Sequence, residues 1–204
     1  MSTAITSTFT AAARCFAQLV DEIPSSAWTG PGLGDWDLRS LVGHTSRSLS
    51  TVNSYLQQPA EQVQVASTAE YYDEVARQIS ANPDAVAERG RQAGIALGDQ
   101  PAHTINTLVQ EALAALDAVE GDPVIDTIAG GMQLSEYLPT RTFELTVHTL
   151  DIAVARGRIV TPPATALEDA LRLATELATR RGEGAAVLLA LTGRTPLPDG
   201  YSVV

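Results

Sequence analysis

The sequence predicts an all-α protein, an antiparallel four-helix bundle with additional C-terminal helices packed outside it. Three observations lead there. Apolar residues recur at three-and-four spacing in several long stretches, Gly- and Pro-dense segments separate those stretches, and only Pro123 to Thr127 reads even faintly as a strand. The chain of 204 residues fits one domain, with residues 1–158 expected to form the bundle and residues 159–204 a helical extension packed on it within the same domain.

The first helix is set by Ile5, Phe9, Ala13, Phe16, Leu19, Val20 and Ile23, and it is expected to end at Asp21 or Glu22, just before Pro24. The stretch from Pro24 to Asp37 is dense in Pro, Gly and Ser and reads as a loop, with Trp28 and Trp36 holding it against the body. Asp37 is a good N-cap for a second helix carrying Leu38, Leu41, Val42, Thr45, Leu49, Val52 and Leu56 on one face. A weaker pattern from Ser67 through Tyr71, Tyr72, Val75 and Ile79 stops near Pro83, and Asp84 to Leu97 suggests another short helix. Ile105, Leu108, Val109, Ala112, Leu113, Leu116 and Val119 form a clear stripe closed by Gly121 and Pro123. Gly130 and Gly131 break the chain before a helix that should reach Arg156, with Gly157 as its stop and Pro139 either starting it or kinking its first turns. Thr161 and Pro162 read as the N-cap and first turn of a helix that ends at Gly182, and a short apolar helix follows at about Ala185 to Leu191.

Composition narrows the function. The balance of 13 basic against 24 acidic residues gives a formal charge of −11, so the chain should repel nucleic-acid backbones and anionic membrane surfaces. Every basic residue apart from the three histidines is Arg. Without Lys, Schiff-base chemistry and a phosphate-binding P-loop are excluded. The single cysteine, Cys15, cannot form an intramolecular disulfide, which suits a reducing compartment; it reads as a small buried hydrophobe rather than a nucleophile. The N-terminal segment lacks a basic n-region and an unbroken apolar run, and the late run Ala185 to Leu191 is far below the roughly 20 residues that span a bilayer. The expected location is the cytoplasm. A bundle of this size can also present an apolar face to a second copy, so a homodimer is an open expectation.

The helix from Leu134 to Arg156 carries the chemistry. At about 100° per residue, Arg141, Glu144 and His148 fall inside or at the border of an arc that a core-facing helix would fill with Leu, and Asp151 extends the same ridge. Buried charge requires compensation by ion pairs, water or a metal. Glu144 and His148 stand i, i+4 and can reach one ion from one helix face, although spacing alone fits a solvated pair equally well. His44 lies at the edge of the second helix's apolar face, beside Gly43, whose missing side chain lets a neighbour approach. Two His and one carboxylate form a catalytic three-ligand set with positions left open. Asp151 could accept the ring N–H of His148, or be a plain surface aspartate. Arg141 could pair with Glu144 or clamp a substrate carboxylate. His103, near Pro101 at a helix start, is expected to be exposed. The glycines of GPGLGD lack a βαβ setting, and neither HExxH nor GxSxG occurs.

The segments WDLRSLVGHTSRS, GMQLSEYLPTRTFELTVHTLDIAVARG and LLALTGRTPLP together resemble the mycothiol-dependent maleylpyruvate isomerase family of the DinB-like metal-binding superfamily. The specific parts are the spacing from Trp36 to His44, the series Arg141, Glu144, His148, Asp151, and the LTGR tail; the likeness runs from about Phe9 to Pro196. It implies a DinB-like bundle in which His44, Glu144 and His148 ligate a divalent metal, zinc first and nickel or another transition metal as alternatives. It also implies a small-molecule thiol, mycothiol, activated at that metal to isomerise a small electrophilic substrate or be transferred to it. The best characterised isomerases carry a separate C-terminal domain, and the stretch after Arg158 is too short to form one, so the shorter branch is the closer likeness. A non-catalytic metal-binding bundle and a metal-activated hydrolase, with Asp151 as its weak candidate base, stand as alternatives.

Overall fold

The computed structural model describes residues 2–81 and 84–204. Among the described residues, eight α-helices and one two-stranded hairpin follow in the order α1 (Thr3–Asp21), α2 (Leu38–Leu56), α3 (Thr68–Ala81), α4 (Asp84–Ala96), α5 (Pro101–Asp117), β1 (Val124–Thr127), β2 (Gly130–Gln133), α6 (Leu134–Ala155), α7 (Ala164–Arg180) and α8 (Gly184–Leu191). The fold is all-α. The expected stop at Pro83 lies outside the described residues.

The periodic stripes bury as their spacing requires. Phe9 and Phe16 of α1, Leu41 and Leu49 of α2, Ile105 of α5, and Leu138, Leu145 and Ile152 of α6 are fully buried, each contributing about 1.5–3 kcal/mol by leaving water. These four helices close a ring in which α1 and α2 each touch both α5 and α6. Among the described elements, α4 lies on α2, α3 on α6 and α7, α7 on α6, and α8 on α7. Among the described residues, no helix is long and apolar enough to cross a membrane.

Three local features set the positions of the later site residues. Asp37 caps α2 by accepting from the Ser40 amide at 2.7 Å, as its sequence position predicts. The Gly43 beside His44 meets α4, because a Cβ there would stand 2.1 Å from the Gly94 nitrogen; two glycines let the helix backbones touch. Trp36 completes this contact by donating Nε1–H to the Ala87 carbonyl at 2.9 Å.

The start of α6 is fixed by side chains from outside it. Asp122 accepts from the Ser135 amide at 2.9 Å and from its hydroxyl at 2.6 Å, placing a carboxylate on the positive end of the helix. Glu136 in turn accepts from the Thr68 amide at 3.0 Å, which fixes where α3 begins along α6.

Three expectations are corrected. The Gly130–Gly131 break is itself a strand, paired antiparallel with β1 so that Ile125 opposes Met132. Its edges are covered by the loop between α2 and α3, where Asp126 donates to the Gln58 carbonyl at 2.7 Å and Val65 to that of Gly131 at 3.0 Å. Pro139 does not start α6, which begins at Leu134 and carries the proline in its second turn. Thr161 does not cap α7. Pro163 occupies the N-cap position and the helix begins at Ala164, because Pro162 and Pro163 hold the residues before them extended.

Substituting Gly43→Ala should destabilise the protein by about 1–3 kcal/mol in urea unfolding, because the added methyl forces α4 away from α2. An exposed helical glycine would show the opposite sign, a gain near 1 kcal/mol from helix propensity. A stabilised variant would contradict the contact.

Candidate metal centre

Helix α6 carries Arg141, Glu144, His148 and Asp151 along one ridge, and α2 brings His44 beside Glu144 and His148. One ligand atom each from His44, Glu144 and His148 lies within 4.8 Å of the others. Glu144 Oε2 stands 3.3 Å from His148 Nε2, and the rings of His44 and His148 meet edge to face at 4.9 Å. Trp36 covers the outer side of His44 with its ring centroid 4.6 Å away. The side chains of Glu144 and His148 are only 19% and 14% exposed, so neither charge is neutralised by bulk water.

Hydrogen bonds orient the two α6 residues. Asp151 Oδ2 holds His148 Nδ1 at 2.9 Å, which directs Nε2 toward Glu144 and His44. The Tyr72 hydroxyl donates to Glu144 Oε1 at 2.8 Å, leaving Oε2 to face the histidines. Nδ1 of His44 is buried without a hydrogen-bond partner. A nitrogen in that condition costs about 1–3 kcal/mol, which a bound cation or water would relieve. Two imidazoles, one of them with an unsatisfied nitrogen, and one carboxylate fit a divalent transition metal.

The electrostatics divide the two histidines. Burial, then the neighbouring His148, pushes His44 down to about 4, so it is a neutral imidazole at physiological pH. Burial also acts against the charge on His148, but hydrogen bonds to Asp151 and Glu144 overcome it and raise the pKa to about 9. Burial would raise Glu144, yet His148, Arg141 and Tyr72 hold its carboxyl down at about 2. Without a metal, the site is therefore an imidazolium, His148, held between two carboxylates beside one neutral imidazole, His44.

Of the two roles its spacing allowed, Arg141 does not take the pairing with Glu144: among the described residues its hydrogen bonds go elsewhere. Its Nε donates to Thr140 Oγ1 at 2.9 Å and its Nη2 to the Tyr71 hydroxyl at 3.2 Å. The guanidinium lies 5.2 and 5.1 Å from the ring centroids of Tyr71 and Tyr137, within cation–π range of both. Burial opposes its charge, but the surrounding tyrosines and Glu144 keep it protonated.

A cavity of about 300 Å³ joins these groups, walled by Trp36, Tyr55, Tyr71 and Tyr137 and bordered by Arg47 and Arg89. Sequence periodicity placed Tyr71 and Tyr72 only as apolar positions of a weak helix. The signal available was the aromatic pair itself, since adjacent positions cannot both face one core stripe. His103 is exposed at the start of α5, and Cys15 is half-buried with its thiol pKa raised by burial.

The two histidines give metal-free protein a stability maximum near pH 6.5. From about pH 4 to 6.5 the unfolded chain protonates His44 and the folded one does not, so stability rises with pH. Between 6.5 and about 9 the folded chain alone keeps the His148 proton, so stability falls as pH rises. Each limb should amount to about 1–3 kcal/mol in urea unfolding of chelator-treated protein. His148→Gln should flatten the alkaline limb and His44→Gln the acid one; an alkaline limb that survives in His148→Gln would contradict the assignment.

Residues 9–153 match the family model of the mycothiol maleylpyruvate isomerase N-terminal domain, a span that takes in His44 and the whole α6 ridge and stops before α7. No curated protein and no solved structure matches the chain.

Proposed function

The chain belongs to the mycothiol maleylpyruvate isomerase N-terminal domain family, and on that premise we propose that it binds a divalent metal through His44, Glu144 and His148 and uses it with a low-molecular-weight thiol, mycothiol, on a small electrophile. The reaction is isomerisation of the electrophile or transfer of the thiol to it. Zinc is the first choice of metal, and nickel or another transition ion suits the same donors. The observation that carries the reading is the convergence of three ligand atoms from two helices at the wall of an aromatic cavity.

The bound ion would supply the positive charge that keeps a thiol ionised at neutral pH. The chain's own residues do the rest. Asp151 fixes the His148 tautomer, and Tyr72 occupies one oxygen of Glu144 so that the other is free to ligate. Neutral His44 needs no proton removed before it binds an ion. Arg141, charged and facing the cavity, orients an anionic substrate, while Trp36 and the tyrosines exclude water.

Two observations favour this over the alternatives. Among the described residues the ligand cluster has three members, the count of catalytic zinc sites rather than of closed structural ones. Asp151, the carboxylate a hydrolase would need as its base, is engaged with His148.

Zinc-loaded protein given mycothiol and a panel of activated alkenes, maleylpyruvate among them, should show turnover that a chelator abolishes and zinc restores. Glu144→Gln should lower the rate by about 100-fold or more, through metal affinity and orientation together. No metal-dependent rate with any member of the panel would overturn the proposal.

A further inference from the structure

One buried hydroxyl in the cavity has a hydrogen-bonding capacity that the metal ligands do not use. Tyr71 is 5% exposed, and its hydroxyl oxygen accepts from Arg141 Nη2 at 3.2 Å. That bond uses the oxygen as acceptor and leaves the phenolic hydrogen to go elsewhere. Two of the other aromatic hydroxyls nearby are committed: Tyr72 donates to Glu144, and Tyr137 donates to Thr51 Oγ1 at 2.8 Å. The Tyr71 hydrogen has no acceptor among the described residues, and the ring lines the same cavity as Glu144 and His148. Arg141 is in the same position. It is 8% exposed, its Nε and Nη2 are bonded, and no described residue accepts from its Nη1. Two adjacent donors, one of them cationic and polarising the other, thus face a space with nothing to receive them.

We propose that Tyr71 and Arg141 form an oxyanion site, in which the Tyr71 hydroxyl and Arg141 Nη1 donate to one negatively charged oxygen of a small planar ligand, an enolate in the reaction and a phenolate by analogy. The catalytic assignment rests on the thiol reading above. In that reaction the thiolate sulfur bonds to the electron-poor carbon of an activated C=C, and the π pair moves onto the conjugated carbonyl oxygen. The bond left single rotates, the pair returns from oxygen, and the C–S bond breaks to release the thiolate. The Tyr71 proton stays on the phenol throughout. The oxygen carries its full charge only between addition and loss of sulfur, so donors placed for it stabilise the transition states more than the substrate.

The probe is para-nitrophenolate, which reports its own ionisation by absorbance and needs no thiol. Zinc-loaded full-length protein should bind it with an ionisation pKa below that in water. Tyr71→Phe, which keeps the ring over Arg141, should weaken binding by about tenfold or more, as should Arg141→Lys, with zinc content unchanged. Equal affinity in Tyr71→Phe, or binding that a chelator abolishes, would assign the capture to the metal and overturn the proposal. Should Tyr71→Phe fail to melt cooperatively, the unsubstituted protein decides, because a bound pKa at or above that in water overturns it. In turnover, Tyr71→Phe should lower kcat by about 100-fold. Nitrophenolate capture that depends on Tyr71, in protein without thiol turnover, would retain the oxyanion site and reject the thiol chemistry. Turnover indifferent to Tyr71 would do the reverse.

Discussion

The placing of four ionisable side chains along one ridge of a bundle helix, Arg141 buried and Glu144, His148 and Asp151 half-buried, is the constraint on which the rest of this structure depends. Helix α6 fills the ring with Leu138, Leu145 and Ile152, yet on the same face carries Arg141, Glu144, His148 and Asp151. An isolated charge there would cost several kcal/mol, so each must be compensated by something brought from another element. The packing of α2, α3 and the Trp36 loop can be read as that compensation. His44 arrives on α2, Tyr71 and Tyr72 on α3, and Trp36 closes the outside by bridging to α4.

The compensation is uneven, and its unevenness has chemical meaning. His148 and Glu144 satisfy each other with help from Asp151 and Tyr72, an arrangement a metal would enter by displacing one proton. His44 stays neutral with an unpartnered nitrogen. Arg141 receives aromatic faces and hydroxyls in place of a carboxylate, so its charge is tolerated without being cancelled. A structural ion-pair network would have cancelled it.

How much of this could be read from the chain depended on the range of the interaction. The ridge on α6 and the cap at Asp37 are local patterns, governed by the helical period and by one side chain reaching three residues ahead. The placement of His44 beside the α6 pair is not local: its position at the edge of an apolar face made it a candidate, and the family resemblance joined it to the pair. The hairpin was half seen, since β1 reads weakly as a strand and β2 begins with two glycines, whose pairing is fixed by the loop laid against it. Thr161 showed that a good capping residue loses to two prolines following it. Tyr72 was invisible as a site residue because its partner lies 72 positions away, on a helix whose register against α3 is set by Glu136 and Thr68. The fold followed from periodicity, and the site needed distances that only the folded chain supplies.

The central claim is that His44, Glu144 and His148 hold one metal ion together. Its most direct test is elemental analysis by mass spectrometry of protein purified without a metal-binding tag, beside the His44→Ala, Glu144→Ala and His148→Ala variants. The account predicts about one equivalent of a transition metal in the unsubstituted protein and its loss in all three variants. Metal-free protein, even after incubation with zinc or nickel, would contradict it and reduce the ridge on α6 to a buried network of hydrogen bonds and charges.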